Sequence, residues 1–282
     1  MRRALRTIFL ALLLAGFCVA GHAAISCTVT ASGIATAYVP STAATNVTQG
    51  TLTVTCQRNN AGDGTTANFT LAANNGLHAA GQQNRAQLGN TASRINYDLF
   101  QDSTCATAWR ATAANRISGS IAGLSGFIPS STNLPFWACV PGSQTGLPAG
   151  TYTDTVTVTL RGAGTTTTTF LVSITTPASC SLTLPPPGIV NFTYIAFGGV
   201  VNANIPFSVT CTSLLPYTMA LDATVGVVGG LQYTLALSAS SATGTGVAQG
   251  YSVDGTMAAN QAGTCAASSC LATQSRTLTI SY

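Results

Sequence analysis

Hydrophobic and polar residues alternate along much of this chain with a period of two. Thr151 to Leu160 reads TYTDTVTVTL, with Val156, Val158 and Leu160 on one side and Thr155, Thr157 and Thr159 on the other. Ala272 to Tyr282 reads ATQSRTLTISY, where Leu278, Ile280 and Tyr282 alternate with Thr277, Thr279 and Ser281. Successive side chains of a strand point to opposite faces, so this pattern predicts strands buried on one face. A displacement of 122 positions superposes the two segments, and the repeat extends beyond them. Each half opens on a cysteine strand, SCTVTASG at Ser26 and SCSLTLPP at Ser179. An alternating strand ending in cysteine follows, TLTVTC at Thr51 and PFSVTC at Pro206, and then a tyrosine-centred one, INYDLFQD at Ile95 and LQYTLALS at Leu231. Gly/Ser/Ala-rich turns separate these runs, and no window carries a helical period. The expected fold class is all-β, with two tandem Ig-like β-sandwich domains. The boundary is expected at Thr175–Ser179, and Pro185–Pro187 break the first strand of the second half.

The halves differ in one respect. After Leu160 the chain turns through Arg161–Gly164 and makes a further strand, TTTTTFLVSITT, from Thr165 to Thr176. Phe170, Val172 and Ile174 share one of its faces. No counterpart follows Tyr282. The first domain is therefore expected to be completed in cis by 165–176, and the C-terminal one to lack its final strand. An unpaired edge over an uncovered core accepts a strand from another chain. The expected acceptor edge comprises Leu278, Ile280 and Tyr282 of the closing strand with Leu182 and Leu184 of the opening strand.

Arg2, Arg3 and Arg6, the apolar run Ile8–Ala20 and the small residues of Gly21–Ala23 read as a secretory leader cleaved after Ala23. The run is too short for a membrane span, and no later segment is longer. The domain reading is thus 1–23 signal peptide, 24–176 first domain and 177–282 second domain. Removing the leader leaves seven Arg and six Asp, with no Lys and no Glu. That near-neutral balance gives no electrostatic footprint for nucleic acid and favours association. Eight cysteines remain, four in each half, which behind a leader implies disulfides. Four cysteines permit three pairings, and sequence does not choose among them. The favoured set is Cys27–Cys56, Cys105–Cys139, Cys180–Cys211 and Cys265–Cys270, because the first and third pairs have similar separations of 29 and 31 residues in similar settings. No C-x-x-C pair suggests zinc, so no metal or other cofactor is expected.

Catalysis is not expected either. The leader aside, the one histidine is His78, and no nucleophile elbow, zinc-protease, phosphate-loop or metal-loop motif occurs. The best contact candidate is Ser118 to Trp137, SGSIAGLSGFIPSSTNLPFW, where Ile121, Leu124, Phe127, Ile128 and Leu134 sit among Ser, Gly, Asn and Pro. Loops lie on the surface, so apolar residues there are candidates for a surface-contact loop. The alternative places Phe127, Ile128 and Leu134 in the core. A rival site is a sugar-stacking face built from Trp109, Trp137 and Asp102.

The ordered set of opening Cys strand, V-T-C strand, Y-D-L-F-Q-D at Tyr97–Asp102 and closing G-T-Y-T-D-T-V-T-V-T-L at Gly150–Leu160 resembles the spore coat protein U domain family, the subunit fold of archaic chaperone–usher pili. The R-T-L-T-I-S-Y at Arg276–Tyr282 fits the family's final strand, although the second half lacks the G-T-Y-x-D approach and inserts Cys265–Cys270. The resemblance implies incomplete sandwiches, each filled by a neighbour's N-terminal extension. Here only Ala24, Ile25 and Ser26 stand between the expected cleavage point and Cys27. Three residues span about 10 Å, too little to complete another sheet. The implied protein is a two-domain tip adhesin that accepts a strand and gives none. It would be secreted through the periplasm to the pilus tip at the cell surface, where it serves adhesion and biofilm formation. Its implied partners are a periplasmic pilus chaperone, an outer-membrane usher and an adjacent pilin subunit. Its target is an abiotic hydrophobic surface, or in the alternative a host glycan; a structural coat protein is the third reading.

Overall fold

The computed structural model describes residues 25–282; the expected leader lies outside the described residues. The first half contains β1 (Ser26–Ala31), β2 (Ile34–Ala37), β3 (Asn46–Gln57), β4 (Ala67–Ala73), β5 (Asn84–Leu88), β6 (Arg94–Phe100), β7 (Ile117–Ile121), β8 (Ser130–Val140), β9 (Gly150–Gly162) and β10 (Gly164–Thr176). The second contains β11 (Cys180–Thr183), β12 (Val201–Cys211), β13 (Pro216–Leu221), β14 (Val225–Val228), β15 (Leu231–Leu237), β16 (Ser241–Thr243), β17 (Gln249–Met257) and β18 (Leu278–Ser281). Each half buries its own apolar cluster. The fold is two tandem Ig-like β-sandwiches, as the alternating pattern requires.

Strand order repeats between the halves. β1-β3-β8-β6-β5 of the first corresponds to β11-β12-β17-β15-β14 of the second, and β7-β4-β9 corresponds to β16-β13-β18. Past β9 the first half continues through β10 to β2. β10 runs antiparallel to β9 from Gly164↔Gly162 to Thr176↔Gly150, and its other edge pairs in parallel with β2 from Val172↔Ile34 to Thr175↔Ala37. Among the described residues β18 pairs with β13 alone, so its second edge is open.

The first core centres on three rings. Trp109 lies 5.0 Å from Phe136 and 6.4 Å from Phe170 between ring centroids, and Phe136 lies 5.0 Å from Phe170. Trp109 is fully buried because its indole Nε1–H donates to the Leu71 carbonyl at 2.8 Å, satisfying the one polar group the ring carries. Beside these rings, buried Asp154 accepts from Tyr97 Oη at 2.7 Å, Leu77 N at 2.8 Å and Thr155 N at 2.9 Å. Gly76, at φ +77°, brings its backbone so close to this carboxylate that a Cβ would collide with it.

Burial raises the Tyr97 hydroxyl far above the ordinary phenol range, and the Asp154 charge raises it further. Burial pushes Tyr152 up to about 12 and raises Tyr217, which also shares a hydrogen bond with Tyr251. A phenol whose pKa is higher folded than unfolded stabilises the fold fully below the ordinary value of 10.0, and that stability is lost as pH climbs through the folded value. Denaturation midpoints are therefore expected to be insensitive to these phenols below pH 10 and to fall between pH 10 and about 12. Urea titrations across that interval, read by near-ultraviolet circular dichroism, check this.

The closing strand of the second half is shorter than the sequence reading. It covers Leu278–Ser281, and Ala272–Thr277 form no strand. Side chains hold this approach in place of a ladder. Arg276 Nε donates to Tyr233 Oη at 2.8 Å, Arg276 Nη2 to the Val225 carbonyl at 2.9 Å, and Tyr233 Oη to Gln274 at 2.5 Å.

Candidate binding surfaces: an apolar pole and an unfinished sheet

Strand register fixes which loops share an end of the first sandwich. Ser26 faces Gln57, Ser130 faces Cys56, Ile121 faces Ala67, and the β9–β10 turn lies at Gly162–Gly164. Loops 58–66 and 122–129 and the β9–β10 turn, with Arg161 at the end of β9 beside it, therefore cluster at one pole. The opposite ends, Val140↔Asn46 and Thr176↔Gly150, face the junction, where Pro177–Ser179 lead into β11. Within loop 122–129, Phe127 is 61% and Ile128 71% exposed, at the pole remote from the second half.

The other three residues assigned to that contact loop belong elsewhere. Ile121 ends β7 and is buried. Leu124 is buried because its backbone N–H donates to the Thr65 carbonyl at 2.9 Å, drawing that part of the loop onto the core. Leu134 lies in β8 on the face of Phe136 and packs over Gly119, which has no side chain to obstruct it. The sugar-stacking face is not assembled either. Trp109 points into the core, and Asp102 accepts from Thr104 N, Ala106 N and Thr107 N at 3.0, 3.1 and 2.7 Å within its own loop. The Thr104 hydroxyl and those amides hold the Asp102 carboxyl well below the usual range. Trp137 lies half-buried on the outer face, opposite Phe100.

The second candidate surface is the open edge of the second sandwich. A shift of 122 positions equates Leu278, Ile280 and Tyr282 with Val156, Val158 and Leu160. The latter three are all 0% exposed beneath β10, whereas Leu278 and Ile280 are half-buried and Tyr282 is 61% exposed. In the opening strand, Leu182 is 40% and Leu184 46% exposed, while the corresponding Val29 is 6% exposed. Sequence reasoning missed Val190, Phe192 and Tyr194, which pack half-buried on the second core although they belong to no strand. The alternating V-N-F-T-Y after Pro187 was the available signal. Val190 and Phe192 lie against Gly255 of β17, where any Cβ would collide with both.

Four disulfides pin the chain: Cys27–Cys56, Cys105–Cys139, Cys180–Cys211 and Cys265–Cys270. The first and third join directly opposed ladder residues, with Cα atoms 4.1 Å apart in each. Among the described residues no group of three His, Cys, Asp or Glu is placed to hold a metal, and no helix is long and apolar enough to cross a membrane.

These features define a disulfide-pinned tandem β-sandwich protein with one closed and one open unit. The sequence model of the Spore Coat Protein U domain matches residues 13–159, and the chain belongs to that family. The match ends at Thr159, within β9, and excludes β10 and everything beyond. This family consists of structural and adhesive proteins rather than enzymes. Among solved structures, the CsuC–CsuE chaperone–tip adhesion subunit pre-assembly complex of the archaic Csu pili of Acinetobacter baumannii is similar, with a TM-score of 0.54 and 16% identity, over 91% of this chain and 100% of that one. That likeness is one of fold. The CupB6 tip adhesin of Pseudomonas aeruginosa aligns with a TM-score of 0.39 and 9% identity, over 84% of this chain and 90% of that one. No curated sequence matches the chain.

Proposed function

We propose that the chain is the tip adhesin of an archaic chaperone–usher pilus. Residues 24–176 form the adhesive domain, closed in cis by β10, and 177–282 form the domain that joins the fibre. The carrying observation is that β9 is covered by β10 in the first half whereas, among the described residues, the corresponding edge of β18 in the second is open. A strand entering antiparallel to β18, as β10 lies against β9, runs from the Tyr282 end towards the Leu278 end. It leaves at the pole remote from the first domain, which points the Phe127–Ile128 loop away from the fibre.

Donor-strand complementation of this kind makes a periplasmic chaperone, an outer-membrane usher and a neighbouring pilin the successive partners, and carries the protein through the periplasm to the cell surface. The target is an apolar surface, and surface attachment of this kind supports biofilm formation. Each side chain of this size contributes about 1.5–3 kcal/mol when fully buried, and many fibres multiply a weak contact by avidity. The paired change Phe127→Ser and Ile128→Ser is expected to abolish binding to polystyrene. Unfolding free energy should move by less than about 0.5 kcal/mol, because both side chains are already in water. Binding that survives the double change removes this loop as the contact.

A further inference from the structure

We propose that the apolar pole selects apolar surfaces that carry negative charge. The inference rests on the reading of that pole as adhesive and adds the class of surface it prefers. Loop 58–66 and the end of β9 bring three charged residues to the pole, Arg58, Asp63 and Arg161, and loop 122–129 brings none. Asp63 is 6% exposed, and its Oδ2 accepts from Asn59 N at 2.9 Å and Asn60 N at 2.8 Å, so its charge is turned into its own loop. Arg58 is half-buried and donates to the neutral Ala61 carbonyl. Arg161 is exposed, and among the described residues its side chain has no hydrogen bond or ion pair.

The nearest further carboxylate along the adjoining strands is Asp102. Asp102 is turned into its own loop as well, accepting from Thr104 N at 3.0 Å, Ala106 N at 3.1 Å and Thr107 N at 2.7 Å. The pole thus combines Phe127 and Ile128 with guanidinium charge and no exposed carboxylate of its own. A rim whose exposed charge is guanidinium attracts negative surfaces and repels positive ones, with an effect that salt screens.

The test is retention of the purified full chain on polystyrene beads of one size bearing sulfate groups, no ionic groups or amines. It is run in about 0.01 M and about 1 M NaCl, where the Debye length is about 30 and about 3 Å. The expected result is preference for sulfate over amine beads by about two- to five-fold in low salt, the range of one or two exposed charge contacts, with the preference gone in high salt. Arg161→Gln should weaken the preference and Arg161→Glu should reverse it, with circular dichroism unchanged. Equal retention on all three beads, unaffected by Arg161→Glu but lost with Phe127→Ser and Ile128→Ser, overturns the charge selectivity while leaving the adhesive reading intact. Retention that survives the double change overturns the adhesive reading itself.

Discussion

Replacing Phe170 by alanine is expected to destabilise the first half by about 3–5 kcal/mol, the range for deleting a core phenylalanine. Phe170 is 4% exposed and closes the ring cluster with Trp109 and Phe136. It enters the core from β10, which separates β9 from β2. A domain of this size is stable by only about 5–15 kcal/mol, so the single change removes a large share. Leu171, the next residue, points outward and is 52% exposed; Leu171→Ala should cost no more than about 0.5 kcal/mol. Urea unfolding followed by tryptophan fluorescence reports on this half, since both tryptophans, Trp109 and Trp137, lie in it. Equal effects of the two substitutions would mean that β10 lies on the sandwich without completing it.

The open edge of β18 yields the second large effect. A synthetic peptide with the sequence of this chain's own Thr165–Thr176 is expected to bind the full chain and stabilise its second half. The register of the first half sets the fit: Phe170 lies opposite Val156, and the 122-residue shift makes Leu278 its counterpart. In that register Phe170 contributes about 1.5–3 kcal/mol over the β18 edge before the costs of association, while Val172 and Ile174 run on past it, opposite the positions of Arg276 and Gln274. At a peptide concentration of about a hundred times Kd, the linked stabilisation is about 2.7 kcal/mol. For a domain of roughly 100 residues that raises Tm by about 10–20 °C. A peptide with serine at the positions of Phe170, Val172 and Ile174 should do nothing, and Ile280→Asp in the chain should block the authentic peptide. If Tm stays the same with saturating peptide, β18 does not accept a strand.

Period-two alternation located the strands well, because it reports which residues one face of a sheet must bury. It found β3, β6, β9, β12 and β15 as well as β10. The repeated order of these runs exposed the tandem plan and the unequal ends of the two halves. Alternation says nothing about the loops. Within Ser118–Trp137, side-chain direction depends on which neighbours a loop meets, so Phe127 and Ile128 face solvent while Leu124 is drawn inward by its bond to Thr65. For Trp109 the sequence leaves a stacking ring and a packed one both open, and the Leu71 carbonyl, 38 residues away, decides for the packed one by supplying its buried partner.

By itself, then, the sequence determined the strand-rich class, the two-fold repeat and the four-and-four division of the eight cysteines from Cys27 onward, since each follows from local periodicity or counting. Only the tertiary structure decided which cysteines meet, which apolar residues are left in water, and that Val190, Phe192 and Tyr194 lie over Gly255. Those facts depend on register and on contacts between residues far apart in the chain. A shift of one residue along a strand turns every side chain to the other face.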